Sequence, residues 1–131
     1  MPVKTEIFFS NPYWSNKLKI EYLQRRIIVH SILYYEFDNS IIEDFQYDGI
    51  SRQLIRLMKE TSDEELKKTE YYYCMHDFDG TTGFDLYNRL NESDKAKFTR
   101  IAQNVLDVYM IKKYGKTKKR WVQHNVKKKV K

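Results

Sequence analysis

Cysteine occurs once in this chain, as Cys74, so no disulfide can form within it and a cysteine-based zinc site is disfavoured. A reducing compartment suits that composition, and the cytoplasm (the host's, if the chain is viral) is the expected location. Glycine (four) and proline (two) are scarce, which argues against an all-β fold built on many tight turns. No apolar stretch approaches the roughly 20 residues of a membrane span. Met1 to Ser10 carries one lysine and a brief apolar run, unlike a signal peptide. No membrane partner is expected.

What the chain does have is 131 residues, enough for one domain with a modest core, with 41% hydrophobic and 32% charged residues. Eleven tyrosines suit half-buried surfaces and binding faces, because the ring packs while the hydroxyl finds a partner. The net charge of +6 conceals an asymmetry: residues 112–131 hold ten Lys or Arg and no acid, whereas residues 1–111 hold fourteen basic and eighteen acidic side chains. The organisation read from this is a single helical domain over 1–114 followed by a basic tail over 115–131.

Apolar periodicity predicts an all-α fold, a two-helix hairpin packed against two or three further helices. After a turn at Asn11-Pro12, with Phe8, Phe9, Tyr13 and Trp14 as anchors, Ser15 is placed to cap a first helix from about Asn16 to Phe37. Its expected stripe is Leu18, Tyr22, Leu23, Ile27, Val29, Ile32 and Leu33. Asp38-Asn39-Ser40 breaks the pattern. A second helix is expected over Asp44–Lys59, with Phe45, Tyr47, Ile50, Leu54, Leu57 and Met58 apolar. Ser62 followed by Glu65 forms a capping box for a third helix to about His76, although Tyr71–Met75 could equally form a strand. A short helix near Phe84–Leu90 precedes a long one over about 94–113, capped by Ser93, with Phe98, Ile101, Val105, Leu106 and Val108 on one side.

One constellation stands out: His30, Tyr34, Tyr35, Asp44, Tyr47 and Asp48, in the pattern H-x3-Y-Y-x8-D-x2-Y-D. His30 and Tyr34 are four apart, and Asp44, Tyr47 and Asp48 are three and four apart, so each set shares a helical face. A short loop that folds one face onto the other gives an expected cleft with aromatic walls and two carboxylates. Such a cleft suits a flat, cationic, hydroxyl-bearing ligand: aromatic faces attract a charged ring, and carboxylates accept hydrogen bonds from ribose hydroxyls. Interhelical packing by the tyrosines, with carboxylates favoured in the first turns by the helix dipole, accounts for the same residues without a ligand.

The stretch from Arg26 to Asp48 resembles the signature of the N-terminal helical subdomain of bacterial NAD-dependent DNA ligases, with residues 17–60 as the hairpin. In that family the subdomain recognises the nicotinamide mononucleotide (NMN) half of NAD during enzyme adenylation. The resemblance puts Tyr34 and Tyr35 at the paired aromatic position, and Asp44, Tyr47 and Asp48 at the acidic and tyrosine positions of the second helix. Glu43 stands where the family usually has serine, Ser40 where proline is common, and Gly49 weakens the second helix by roughly 1 kcal/mol relative to alanine. Beyond Glu60 the resemblance is expected to fade. The Lys-x-Asp-Gly motif of the nucleotidyltransferase is absent from the sequence, so the chain by itself is expected not to be an enzyme.

Two further signals occur in the sequence. Asp77-Phe78-Asp79-Gly80-Thr81 spells the D-x-D-G-T of haloacid-dehalogenase phosphatases, but only about fifty residues follow for the strands that fold requires. A turn is the simpler reading, and a metal at His76, Asp77 and Cys74 matches no common spacing. The basic run Lys112, Lys113, Lys116, Lys118, Lys119, Arg120 and Trp121 can pair with DNA or RNA phosphates and stack on bases, or simply solvate the chain. Three functions stay open. The first, and the one expected, is a non-enzymatic interaction protein of phage or mobile-element type that reuses the ligase-like hairpin to bind and modulate a host nucleic-acid enzyme, as an anti-defence inhibitor for example. The second is an accessory module binding NAD or NMN, the one cofactor expectation. The third is a sequence-independent nucleic-acid-binding protein.

Overall fold

The computed structural model describes residues 14–80 and 85–115. Among the described residues there are six α-helices, one π-helical turn and no strand, the all-α class expected. They are α1 (Asn16–Ser31), continued by the π turn (Ile32–Glu36), then α2 (Asp44–Lys59), α3 (Asp63–Leu66), α4 (Tyr72–Met75), α5 (Leu86–Arg89) and α6 (Glu92–Tyr114). The turn at Asn11-Pro12, the anchors Phe8, Phe9 and Tyr13, and the tail from Lys116 onward lie outside the described residues. Two compact units emerge. Described residues up to Ile27 and from Asp44 to Gly80 form one; Ile28–Glu43 and those from Asp85 onward form the other.

In the first unit, Ser15 accepts the Leu18 N–H at 3.2 Å, capping α1 as its sequence position implied. The helix is buried over a wider arc than the expected stripe. Ile20, Leu23 and Ile27 are fully buried, as are Glu21 and Gln24, whereas Leu18 is exposed and Tyr22 half-buried. Trp14 packs edge-on against Tyr22 with ring centres 5.6 Å apart. On α2 the buried positions are Ile50, Ser51 and Leu54, spaced i, i+1 and i+4; Phe45, expected on the apolar face, is exposed. Asp44 opens this helix and Arg56 and Lys59 close it, each sign matching the dipole end it occupies.

The single third helix expected to run to His76 is two short helices separated by a turn. Ser62 caps α3 by accepting the Glu65 N–H at 3.2 Å, as the capping box implied. At the break, Thr69 turns back on the Leu66 carbonyl through both its backbone N–H (3.0 Å) and its hydroxyl (2.6 Å). The next N–H, of Glu70, is taken by the buried carboxylate of Glu21 at 2.9 Å. The α-helical ladder has ended before this point, since the Lys68 and Thr69 amides bond carbonyls three residues back, and the Glu21 carboxylate satisfies the amide that follows. Tyr71, Cys74, Met75 and Phe78 then fill the interior, and the stretch that could have formed a strand holds the helix Tyr72–Met75.

The second unit is built on α6, which packs against the π turn. Its cap is Asn91, whose Oδ1 accepts the Asp94 N–H at 2.7 Å, and not the expected Ser93. The buried stripe is Phe98, Ala102, Leu106 and Met110, four residues apart throughout. Ile101 and Val108, expected on the core side, are exposed together with Ile111. Ile28, Ile32, Leu33, Leu86 and Leu90 complete this core.

Candidate functional site

The six residues of the pattern are divided between the two units: His30, Tyr34 and Tyr35 in one, Asp44, Tyr47 and Asp48 in the other. Each set keeps the local geometry that its spacing implied. Asp44, Tyr47 and Asp48 occupy the first two turns of α2. Both carboxylates are exposed and Tyr47 is half-buried. His30 is half-buried near the end of α1.

Tyr34 and Tyr35 lie on the π turn, and their rings touch at right angles, 4.7 Å between centres and 88° between planes. Both side chains are exposed, at 52% and 43%, while the preceding Ile32 and Leu33 are buried. Large aromatic rings exposed in contact present a corner of π surface to solvent, and such a surface attracts a flat cation. The π turn itself was not legible. The helix was expected to run on to Phe37, and instead widens so that the Phe37 N–H bonds the Ile32 carbonyl, five residues back, at 3.0 Å. Turns of this type are found disproportionately at functional sites.

Residues of the expected basic contact surface are described only at its start. Lys112 and Lys113 are exposed at the end of α6. Lys113 donates to the Tyr109 hydroxyl at 3.3 Å and lies over the rings of Tyr109 and Tyr114. The Tyr109 hydrogen bond, seconded by that of Tyr114, raises its ammonium above the ordinary lysine range. Lys116, Lys118, Lys119, Arg120 and Trp121 lie outside the described residues.

Asp77–Gly80 is the turn that its composition implied. The Phe78 N–H bonds the Met75 carbonyl at 3.1 Å, Phe78 is buried, and Gly80 adopts φ +93°. His76 accompanies Tyr72, its Nδ1 3.0 Å from the Tyr72 carbonyl, and Cys74 is buried. Among the described residues no group of three or more His, Cys, Asp or Glu is arranged to hold a metal ion. Nor is any helix there long and apolar enough to cross a membrane. A cavity of about 370 Å³ in the first unit is lined by Ser15, Lys17, Glu60, Thr61, Ser62 and Thr69, among others. Its hydroxyls are already committed to local backbone: Thr61 donates to the Leu57 carbonyl at 2.7 Å, and Ser15, Ser62 and Thr69 bond as described above. None of the six pattern residues lines it.

Residues 15–70 match the family described as DNA ligase-like, N-terminal NAD+-binding domain. The match contains the whole pattern and runs beyond Glu60, through α3 to Glu70, further than the sequence pattern alone implied. This segment is similar to a ligase N-terminal domain. The Glu21–Glu70 bond therefore ties its first helix to its last residue. No curated protein and no solved structure matches the chain. The match bears on the nicotinamide-nucleotide reading and adds nothing to that of a phage-type interaction protein.

Proposed function

We propose that the ligase-like segment is a binding module for the nicotinamide mononucleotide half of NAD, and that the chain acts without nucleotidyl transfer of its own. The observation that carries this reading is the exposed Tyr34–Tyr35 pair within a segment matching an NAD+-binding domain. In this reading the tyrosine rings receive the flat nicotinamide cation, whose charge the ring quadrupole attracts. The carboxylates of Asp44 and Asp48, exposed on the first turns of α2, are of the kind that accept hydrogen bonds from ribose hydroxyls. A chain lacking the Lys-x-Asp-Gly motif has no lysine of that kind to accept AMP, so binding rather than catalysis is the output.

Ligand dissection tests the proposal. Saturation-transfer NMR on the full chain should show NMN and NAD+ bound through nicotinamide and ribose protons, with AMP giving no signal. Equal signals from AMP and NMN would mean that the contact is to phosphate or adenine, and the reading would fail.

A further inference from the structure

Tyr35 sits where an unbroken α-helix would have hidden it. It follows Ser31 by four residues and Ile28 by seven, and both of those are buried. At α-helical spacing it would continue their face into the interior. The π turn carries more residues per turn than the α-helix, so each residue after Ser31 lags in rotation. Tyr35 is thereby swung off the buried face and emerges exposed beside Tyr34.

A specific closure holds that turn. The Asn39 N–H bonds the Leu33 carbonyl at 2.8 Å, and the Asn39 side-chain amide donates to the Phe37 carbonyl at 3.0 Å. Between them Asp38 adopts φ +59°, the left-handed conformation that Asp, Asn and Gly tolerate and β-branched residues resist. The bond from Asn39 spans one residue more than the comparable bond of a usual left-handed helix end, as a widened turn requires. Beneath it, Ile32 and Leu33 are buried at 1% exposure each, on the turn that α6 packs against.

We infer that this closure is a positioning device for the ligand ring: Asp38 and Asn39 are positioning residues that hold Tyr34 and Tyr35 as one exposed aromatic corner, without touching the ligand themselves. The inference rests on the nicotinamide reading proposed above and deepens it. It assigns ring recognition to a backbone conformation as well as to the tyrosines, and it favours the cationic, oxidised nicotinamide over the uncharged reduced ring.

The test uses the full chain with Asp38→Val, Asn39→Ala and Asp38→Gly. Two readouts are taken on each: the affinity for NMN, and the rate of tyrosine nitration at positions 34 and 35, which involves no ligand. Asp38→Val should bind NMN roughly tenfold more weakly, because a β-branched residue opposes the left-handed conformation. Asp38→Gly should bind as the natural chain does. Asn39→Ala should weaken binding in the same direction and should lower the nitration rate of Tyr35 relative to Tyr34, with the helical circular dichroism unchanged. If Asp38→Val fails to fold, Asn39→Ala carries the test alone. NMN affinity and nitration rates equal to those of the natural chain in a folded Asn39→Ala variant would overturn the positioning inference and leave the nicotinamide reading intact. A natural chain that binds no NMN overturns that reading first, and the inference with it.

Discussion

The carboxylate of Glu21, buried in α1, accepts the backbone N–H of Glu70 at 2.9 Å across 49 residues of sequence. Glu21 also pairs with Lys17 at 3.1 Å, one turn earlier in the same helix. One acidic side chain thus ties the turn between α3 and α4 to α1. Hydrogen bonds to a charged acceptor contribute more than neutral ones, about 1.5–3 kcal/mol. Glu21→Ala is therefore expected to destabilise the protein by about 2 kcal/mol in urea unfolding. Lys17→Ala, which removes only the partly exposed partner of an ion pair, should cost less than about 1 kcal/mol. Equal losses in the two variants would show that the long-range bond contributes nothing of its own.

Gly80 tests the turn after α4. A Cβ added there would meet the Ile55 Cδ1 at 3.5 Å, an ordinary contact, so space is not the obstacle. Its φ of +93° is. Gly80→Ala should cost on the order of 1–2 kcal/mol through backbone strain alone, read as a lowered denaturation midpoint with an unchanged urea slope. A variant as stable as the natural chain would mean that this turn relaxes to another conformation.

The register of α6 separates two apolar stripes. Leu106 is fully buried and Val108 is 52% exposed, two residues away on the same helix. Leu106→Ala should lose about 2–5 kcal/mol, whereas Val108→Ala should change stability by no more than about 0.5 kcal/mol. Comparable losses would mean that Val108 is covered in solution.

These cases also mark where the sequence was legible. Asp44 to Lys59 could be read as a helix because charge, periodicity and length agree over those residues. So could the caps at Ser15 and Ser62, which depend on neighbours three residues away. What could not be read depends on distant partners. The anchoring of the Glu70 amide needs Glu21, 49 residues away, and no local signal announces that bond. The stripe on α6 was read correctly at Phe98 and Leu106 and wrongly at Ile101 and Val108, which outweigh Ala102 in apparent hydrophobicity although the small alanine is the one in the core. The spacing of Tyr34 and Tyr35 pointed to a binding face, but their exposure follows from the π turn, which is closed by Asn39 and backed by α6. Asp38-Asn39 was visible as a break in the pattern, and its role as a closure was not.

The nicotinamide assignment is tested most directly by calorimetric titration of the natural chain with NMN, alongside Asp44→Ala and Asp48→Ala. Both aspartates are exposed on the first turns of α2, so neither substitution should disturb the buried Ile50, Ser51 and Leu54 of that helix. Saturable binding by the natural chain is expected, weakened at least about tenfold in each variant by loss of a charge-assisted hydrogen bond. No heat from the natural chain at millimolar NMN, or binding unchanged in both variants, would contradict it.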